Sequence, residues 1–215
     1  MHFIGAPRRP EIDQYTIKFL IGAIAFSLPW IELWLTRGSI ASISASFWYD
    51  IGGPWPRNIF VGFLFAIAAF MLAYNGRTEA EMWLAKIASL AALGVAMFPC
   101  GCGDASHEII PHVHLISAGA LFAVLAWFCY MFYRRARAKK RRQADWRAWI
   151  YTLSGLGMLA AMALFLAYAL TKRETLVFWG EAIGLVAFGV SWLTASHVVP
   201  GINARDERHS LIRSD

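Results

Sequence analysis

Between Cys100 and His114 the chain gathers three of its six histidines, two of its three cysteines and two carboxylates within fifteen residues. Thiolate, imidazole and carboxylate are the usual ligands of zinc or copper, so Cys100, Cys102, Asp104, His107, His112 and His114 are candidate metal ligands. The spacing limits that reading. Cys-x-Cys is not the Cys-x2-Cys zinc pattern, and there is no second cysteine pair. His112 and His114 point the same way only in extended backbone; in a helix they diverge by about 200°. Two other readings stand beside it: a polar loop whose histidines support the start of a helix, and a redox-active Cys100–Cys102 pair.

Two glutamates in apolar surroundings form the second constellation. Glu32 and Glu181 each fall within an apolar run long enough to cross a bilayer. A carboxylate there costs about 2.5–3.5 kcal/mol on insertion scales, so it should face the protein interior and have a partner. Both lie about 6–8 Å inside the same membrane boundary, at 1.5 Å per helical residue. That is also the boundary on which the histidine loop opens. Arg57, Arg37 and Arg173 are the candidate counter-ions. A polar pocket can be assembled from Arg57, His114, Glu32, Glu181 and Asp50, roofed by the aromatic residues Trp48, Tyr49 and Trp55. Ser117, one turn after His114, is the local hydroxyl that a Ser–His pair would use.

The elements that position these groups are transmembrane helices. Hydrophobic residues make up 58% of the 215 positions and charged ones 16%, and the apolar residues come in long blocks. Six runs reach spanning length: residues 17–36, 59–74, 82–99, 115–133, 148–170 and 176–199. The expected fold is all-α, a single six-helix transmembrane bundle over residues 1–215, with a basic loop at 134–147 and a polar tail at 200–215. With the N-terminus inside, inner segments hold 14 Lys and Arg and outer ones four, which places both termini in the cytoplasm. The remaining two, Lys18 and Lys86, lie near inner span ends, from which their chains can snorkel to water. The expected location is a bacterial inner membrane. The 16-residue polar leader and the Glu32 and Pro29 inside the first apolar run argue against a cleaved signal peptide.

Arg134 to Arg147 supplies eight of the twenty basic residues between two apolar spans. That is a membrane-flanking loop attracting anionic head groups, chiefly along Arg134–Arg142, and not a nucleic-acid surface. Cys129 lies inside a span and is a packing residue; His197, near the end of the last, is interfacial. A homo-oligomer or a membrane-protein partner is left open by the sequence.

Several apolar motifs carry a resemblance: Ser42-Ile-Ser-Ala-Ser-Phe-Trp-Tyr49, Arg57-Asn-Ile-Phe-Val-Gly62, Leu72-Ala-Tyr-Asn-Gly76, Leu90-Ala-Ala-Leu-Gly-Val-Ala-Met-Phe-Pro99, His114-Leu-Ile-Ser-Ala118, Glu181 and Ala187-Phe-Gly-Val-Ser-Trp192. Together they resemble a bacterial six-pass membrane family of unknown function, itself distantly similar to the FRAG/DRAM/Sfk-type membrane proteins. The resemblance implies a six-helix bundle and directs attention to Arg57, His114 and Glu181. It implies no reaction. The seven-pass zinc amidases of the alkaline-ceramidase and adiponectin-receptor type do not fit, because Ser-x3-His and His-x3-His are absent.

Three functions follow as expectations. The first is a sensor or accessory protein whose outer pocket binds a lipid head group or small polar ligand. The second is a membrane-embedded hydrolase using zinc or copper, with a glutamate as general base. The third is a small transporter or proton relay using Glu32 and Glu181.

Overall fold

The computed structural model describes residues 13–101, 110 and 112–211. It contains six helices: α1 Gln14–Leu35, α2 Trp55–Ala73, α3 Glu79–Met97, α4 Val113–Ala138, α5 Arg142–Thr171 and α6 Thr175–Ala195. All six are long and apolar enough to cross a membrane, and no strand occurs among the described residues. The chain is therefore a six-pass membrane bundle, as its hydropathy predicts.

The helix ends are set by local chemistry. Asp13 caps α1, accepting from the backbone N–H groups of Tyr15 and Thr16 at 3.1 and 2.9 Å. Thr78 caps α3, accepting from Glu81 N, while the Glu81 carboxylate accepts from Arg77 N. α2 starts at Trp55, four residues before its apolar run, because Pro56 lies in the first turn, where its missing N–H costs nothing. α4 and α5 extend the apolar spans into the basic segment, so only 139–141 joins them. The basic loop of the sequence is mostly two helix ends.

Each helix packs on its chain neighbours, and α6 closes the ring against α1. Lipid is as apolar as leucine, so this closure rests on close packing and not on hydrophobic exclusion. Gly22 and Gly189 make it tight: a Cβ on Gly22 would meet Leu193 N at 2.6 Å, and one on Gly189 would meet Phe26 N at 2.6 Å. Inside the ring, Trp192 is fully buried and packs edge-on against Tyr74, Phe128, Phe132 and Phe188. Exposed tryptophans mark two belts, with Trp30, Trp34 and Trp179 at one end and Trp83, Trp146 and Trp149 at the other.

The two ends differ. At one, which we call the serine end, residues 36–54 fold back into the mouth of the ring as a 3-10 turn over Ser44–Trp48, with Ser42, Ser44 and Ser46 buried. At the other, the basic end, the segment after α6 is strapped across the helix ends. Glu207 takes Lys139 at 2.6 Å and Arg147 at 2.8 Å, Asp206 takes Arg141 at 2.9 Å, and His209 meets Asp13 at 2.9 Å.

Two predictions follow from this packing. Gly189→Leu should separate α1 from α6 and lower stability by about 1–3 kcal/mol, the usual cost of overpacking, read as a lower unfolding midpoint in detergent. The second concerns the strap. Burial alone would push the Glu207 carboxyl up, but Lys139 and Arg147 outweigh it and hold it down at about 2, below its ordinary 4.5. A depressed acid contributes stability that is complete above its unfolded value and lost as pH falls through the folded one. The wild type should therefore lose more thermal stability between pH 4.5 and about 2 than Glu207→Gln does; equal losses would mean the strap contributes nothing.

Candidate functional site

Glu181 stands on α6 and His114 in the first turn of α4, each only 9% exposed. No side-chain contact joins them directly; Ser44 does. The Ser44 hydroxyl lies 2.5 Å from Glu181 Oε1 and 3.2 Å from His114 Nε2. The other Glu181 oxygen accepts from two successive backbone N–H groups, Ile43 at 2.5 Å and Ser44 at 3.2 Å. One carboxylate therefore holds both the backbone and the side chain of the returning loop. Consecutive N–H groups converging on one oxygen make an anion-accepting corner in the chain.

His114 is fixed from the other side. Its Nδ1 lies 2.8 Å from Phe98 O, and a carbonyl can only accept, so Nδ1 carries a proton. Trp48 donates from Nε1 to Cys100 O at 2.9 Å, tying the loop to the segment after α3. Leu28, Ile43, Phe60, Leu64, Val95 and Ala96 pack beneath as an apolar floor. The polar chain is thus enclosed by residues of α1, α2, α3, α4 and α6 together with the loop.

Glu32 lies in the same mouth and is fully buried. Ser46, two residues beyond Ser44, is the hydroxyl that stands against it. The two approach without reaching hydrogen-bond geometry, and neither the Glu32 oxygens nor the Ser46 hydroxyl has a hydrogen-bond partner among the described residues. A charged, unpartnered carboxylate in such a place would be costly, so protonation is its simplest relief.

The expected counter-ions do not serve. Arg37, Arg57 and Arg173 are exposed and make no ion pair among the described residues. Their stems start at the rim, whereas the carboxylates lie a turn or more deeper. Asp50 and Trp55 are exposed as well. Trp48 and Tyr49 are half-buried, Tyr49 donating to Thr36 O at 3.4 Å. The structure thus gathers His114 and Glu181 and places Glu32 along the same loop, while Arg57, Asp50 and Trp55 stay at the surface. Ser117 is not the hydroxyl at His114; it packs against Gly94 of α3. Ser44 takes that role from 70 residues away in the chain.

The described residues alone assemble no zinc or copper centre. His114 has Phe98 O at Nδ1 and Ser44 Oγ at Nε2, and Cys100 is disulfide-bonded, so it offers no thiolate. His112 is exposed, with left-handed backbone at φ 67°. No three His, Cys, Asp or Glu stand together as ligands among the described residues, and Cys102, Asp104 and His107 lie outside them.

No family model matches the chain, and no curated protein and no solved structure is significantly similar to it.

Glu181→Ala would strip the Ile43 and Ser44 N–H groups of their acceptor, at about 1–3 kcal/mol for each buried donor left unpaired. The loop should then unseat, and a cysteine placed at Ser42 should become accessible to a water-soluble thiol reagent. Glu181→Gln keeps one carbonyl oxygen and should unseat the loop less. Equal protection in the wild type and Glu181→Ala would show that the carboxylate does not hold the loop.

Proposed function

We propose that the serine-end centre exchanges protons, and that the protein is a small proton-linked carrier or relay of the third kind expected from its sequence. The observation that carries this reading is the continuous Glu181–Ser44–His114 chain, buried within the depth of the membrane. It supports two proton arrangements with the same heavy atoms. In one, Glu181 is a carboxylic acid donating to Ser44 Oγ, and the Ser44 hydroxyl donates to neutral Nε2 of His114. In the other, the Glu181 proton has passed to Ser44 Oγ while the Ser44 proton has passed to Nε2. Glu181 is then a carboxylate, His114 an imidazolium, and the serine is unchanged. No bond other than O–H and N–H is made or broken, and Nδ1 keeps its proton on Phe98 O throughout.

The exchange is coupled to shape because Glu181 also holds the loop. A carboxylate grips the Ile43 and Ser44 N–H groups with charge-assisted bonds; the neutral acid grips them with bonds about half as strong. Protonation therefore loosens the plug that covers Glu32, the second carboxyl in the mouth. The positive-inside bias supports one direction, basic end cytoplasmic and serine end outside, and the membrane is read as a bacterial inner one. Exposed Arg57 and Trp55, neighbours at the start of α2, favour a second contact of this rim with lipid head groups.

The test is charge displacement on a solid-supported membrane after a pH jump, with the full chain reconstituted in vesicles. The wild type should give a transient current. Ser44→Ala keeps both titrating groups but breaks the chain, and should slow the transient by about tenfold or more, in line with removal of a proton-transfer group. Glu181→Gln should abolish most of it. A wild type as silent as empty vesicles, or a Ser44→Ala current with unchanged kinetics, would overturn the proposal.

A further inference from the structure

At the opposite end of the bundle the charges do not balance. A small cavity, with about 30 Å3 of free space, is lined by Lys18, Arg77, Arg135, Lys139 and Arg147, with His197 at its edge. Among the described residues, two carboxylates answer these five cations: Glu81 pairs with Arg135, and Glu207 with Lys139 and Arg147. Asp13, the other acid near them among the described residues, is committed to capping α1 and to His209. The Arg77 guanidinium donates to Tyr15 OH at 3.2 Å, a neutral partner.

Lys18 is the residue that points to a ligand. It is 5% exposed, so it does not snorkel to water as its sequence position suggests. Its ammonium has no carboxylate and no hydrogen bond among the described residues. It lies over the rings of Tyr15, Tyr74 and Phe132, 5.0 to 5.7 Å from their centroids, and borders the cavity. Ring faces attract a cation but accept none of its three protons in a strong hydrogen bond. Lys86, by contrast, reaches backbone oxygens, with Tyr74 O at 3.3 Å. A buried ammonium facing a cationic cavity is costly unless it gives up its proton or an anion joins it there.

We propose that this cavity binds a phosphate group, using Lys18 as its floor and Arg77, Lys139 and Arg147 as its walls. Guanidinium forks and ammonium groups together match a tetrahedral oxyanion, which can accept from several donors at once. The cavity lies at the same end of the bundle as exposed Trp83, Trp146 and Trp149, the kind of aromatic belt that marks a membrane interface, and basic pockets between helices near such an interface hold anionic head groups. A free phosphate and a lipid head group present the same chemistry there. The site is independent of the proton centre, which lies at the other end of every helix.

The experiment uses the full chain in detergent at constant ionic strength. Inorganic phosphate is titrated against chloride, and phosphatidylglycerol or phosphatidylcholine is added to separate micelles. A rise in unfolding midpoint with inorganic phosphate assigns a soluble source; a rise with phosphatidylglycerol alone assigns a lipid source. In either case Lys18→Met should weaken the apparent affinity by about tenfold. Glu207→Gln removes a competing carboxylate and should strengthen it. If Lys18→Met does not fold, Lys139→Gln takes its place, with the same expected direction. No stabilisation by either phosphate source, equal stabilisation in the lysine variant, or weaker binding in Glu207→Gln would overturn the proposal.

Discussion

A carboxylate buried in a membrane protein must either be neutral or be given donors, and Glu181 is given three from one short stretch of chain. The shape of the serine end follows from that need. The loop after α1 cannot simply cross to α2 over the surface; it must bring two consecutive N–H groups and a hydroxyl down to α6. That return carries Ser46 to Glu32 and lets Trp48 reach Cys100, while the hydroxyl that satisfies Glu181 also reaches His114. Electrostatics, loop conformation and the arrangement of protons are here one constraint.

The basic end answers its own problem differently. There the surplus is cationic, and the chain supplies partial compensation through Glu81 from within the ring and Glu207 from the strap. Arg147 is almost wholly buried, yet it meets Asn203 at 2.7 Å, Glu207 at 2.8 Å and Ile202 O at 3.1 Å. Lys18 is left to ring faces. The two ends thus form a polarised pair: an enclosed acid–imidazole chain at one membrane face and an incompletely neutralised basic cavity at the other. Between them lies a ring sealed by the Gly22–Gly189 approach and filled by Trp192 and its aromatic neighbours.

The six spans were legible because hydrophobic length is a local property, set by bilayer thickness. Helix ends were less so. Hydropathy marks where lipid stops, whereas α4 and α5 continue as helices through Arg135, Arg137 and Arg142 once the backbone bonds are already propagating. Glu32, Glu181 and His114 stood out as polar groups in apolar surroundings. Their connector did not, since Ser44 meets Glu181 across 137 residues and no local period encodes that distance. The nearest sequence signal was the alternation of Ser42, Ser44 and Ser46 with Ile43, Ala45 and Phe47, which reads equally well as an ordinary polar loop. Helical spacing instead favoured Ser117, which is local to His114 but turned toward Gly94. Arginine counter-ions were expected from charge alone; depth decided otherwise. Lys18 read as a snorkelling residue because a lysine near a span end usually finds water, whereas the fold buries it.

The most direct measurement is nitrogen-15 NMR of the His114 imidazole in the full chain, followed through a pH titration in the wild type and in Ser44→Ala. A relay in which one proton is shared along Glu181, Ser44 and His114 predicts that Nε2 changes protonation in step with Glu181 and that Nδ1 stays protonated on Phe98 O. It also predicts that removing the Ser44 hydroxyl uncouples the two. An Nε2 signal that titrates identically with and without that hydroxyl would contradict it.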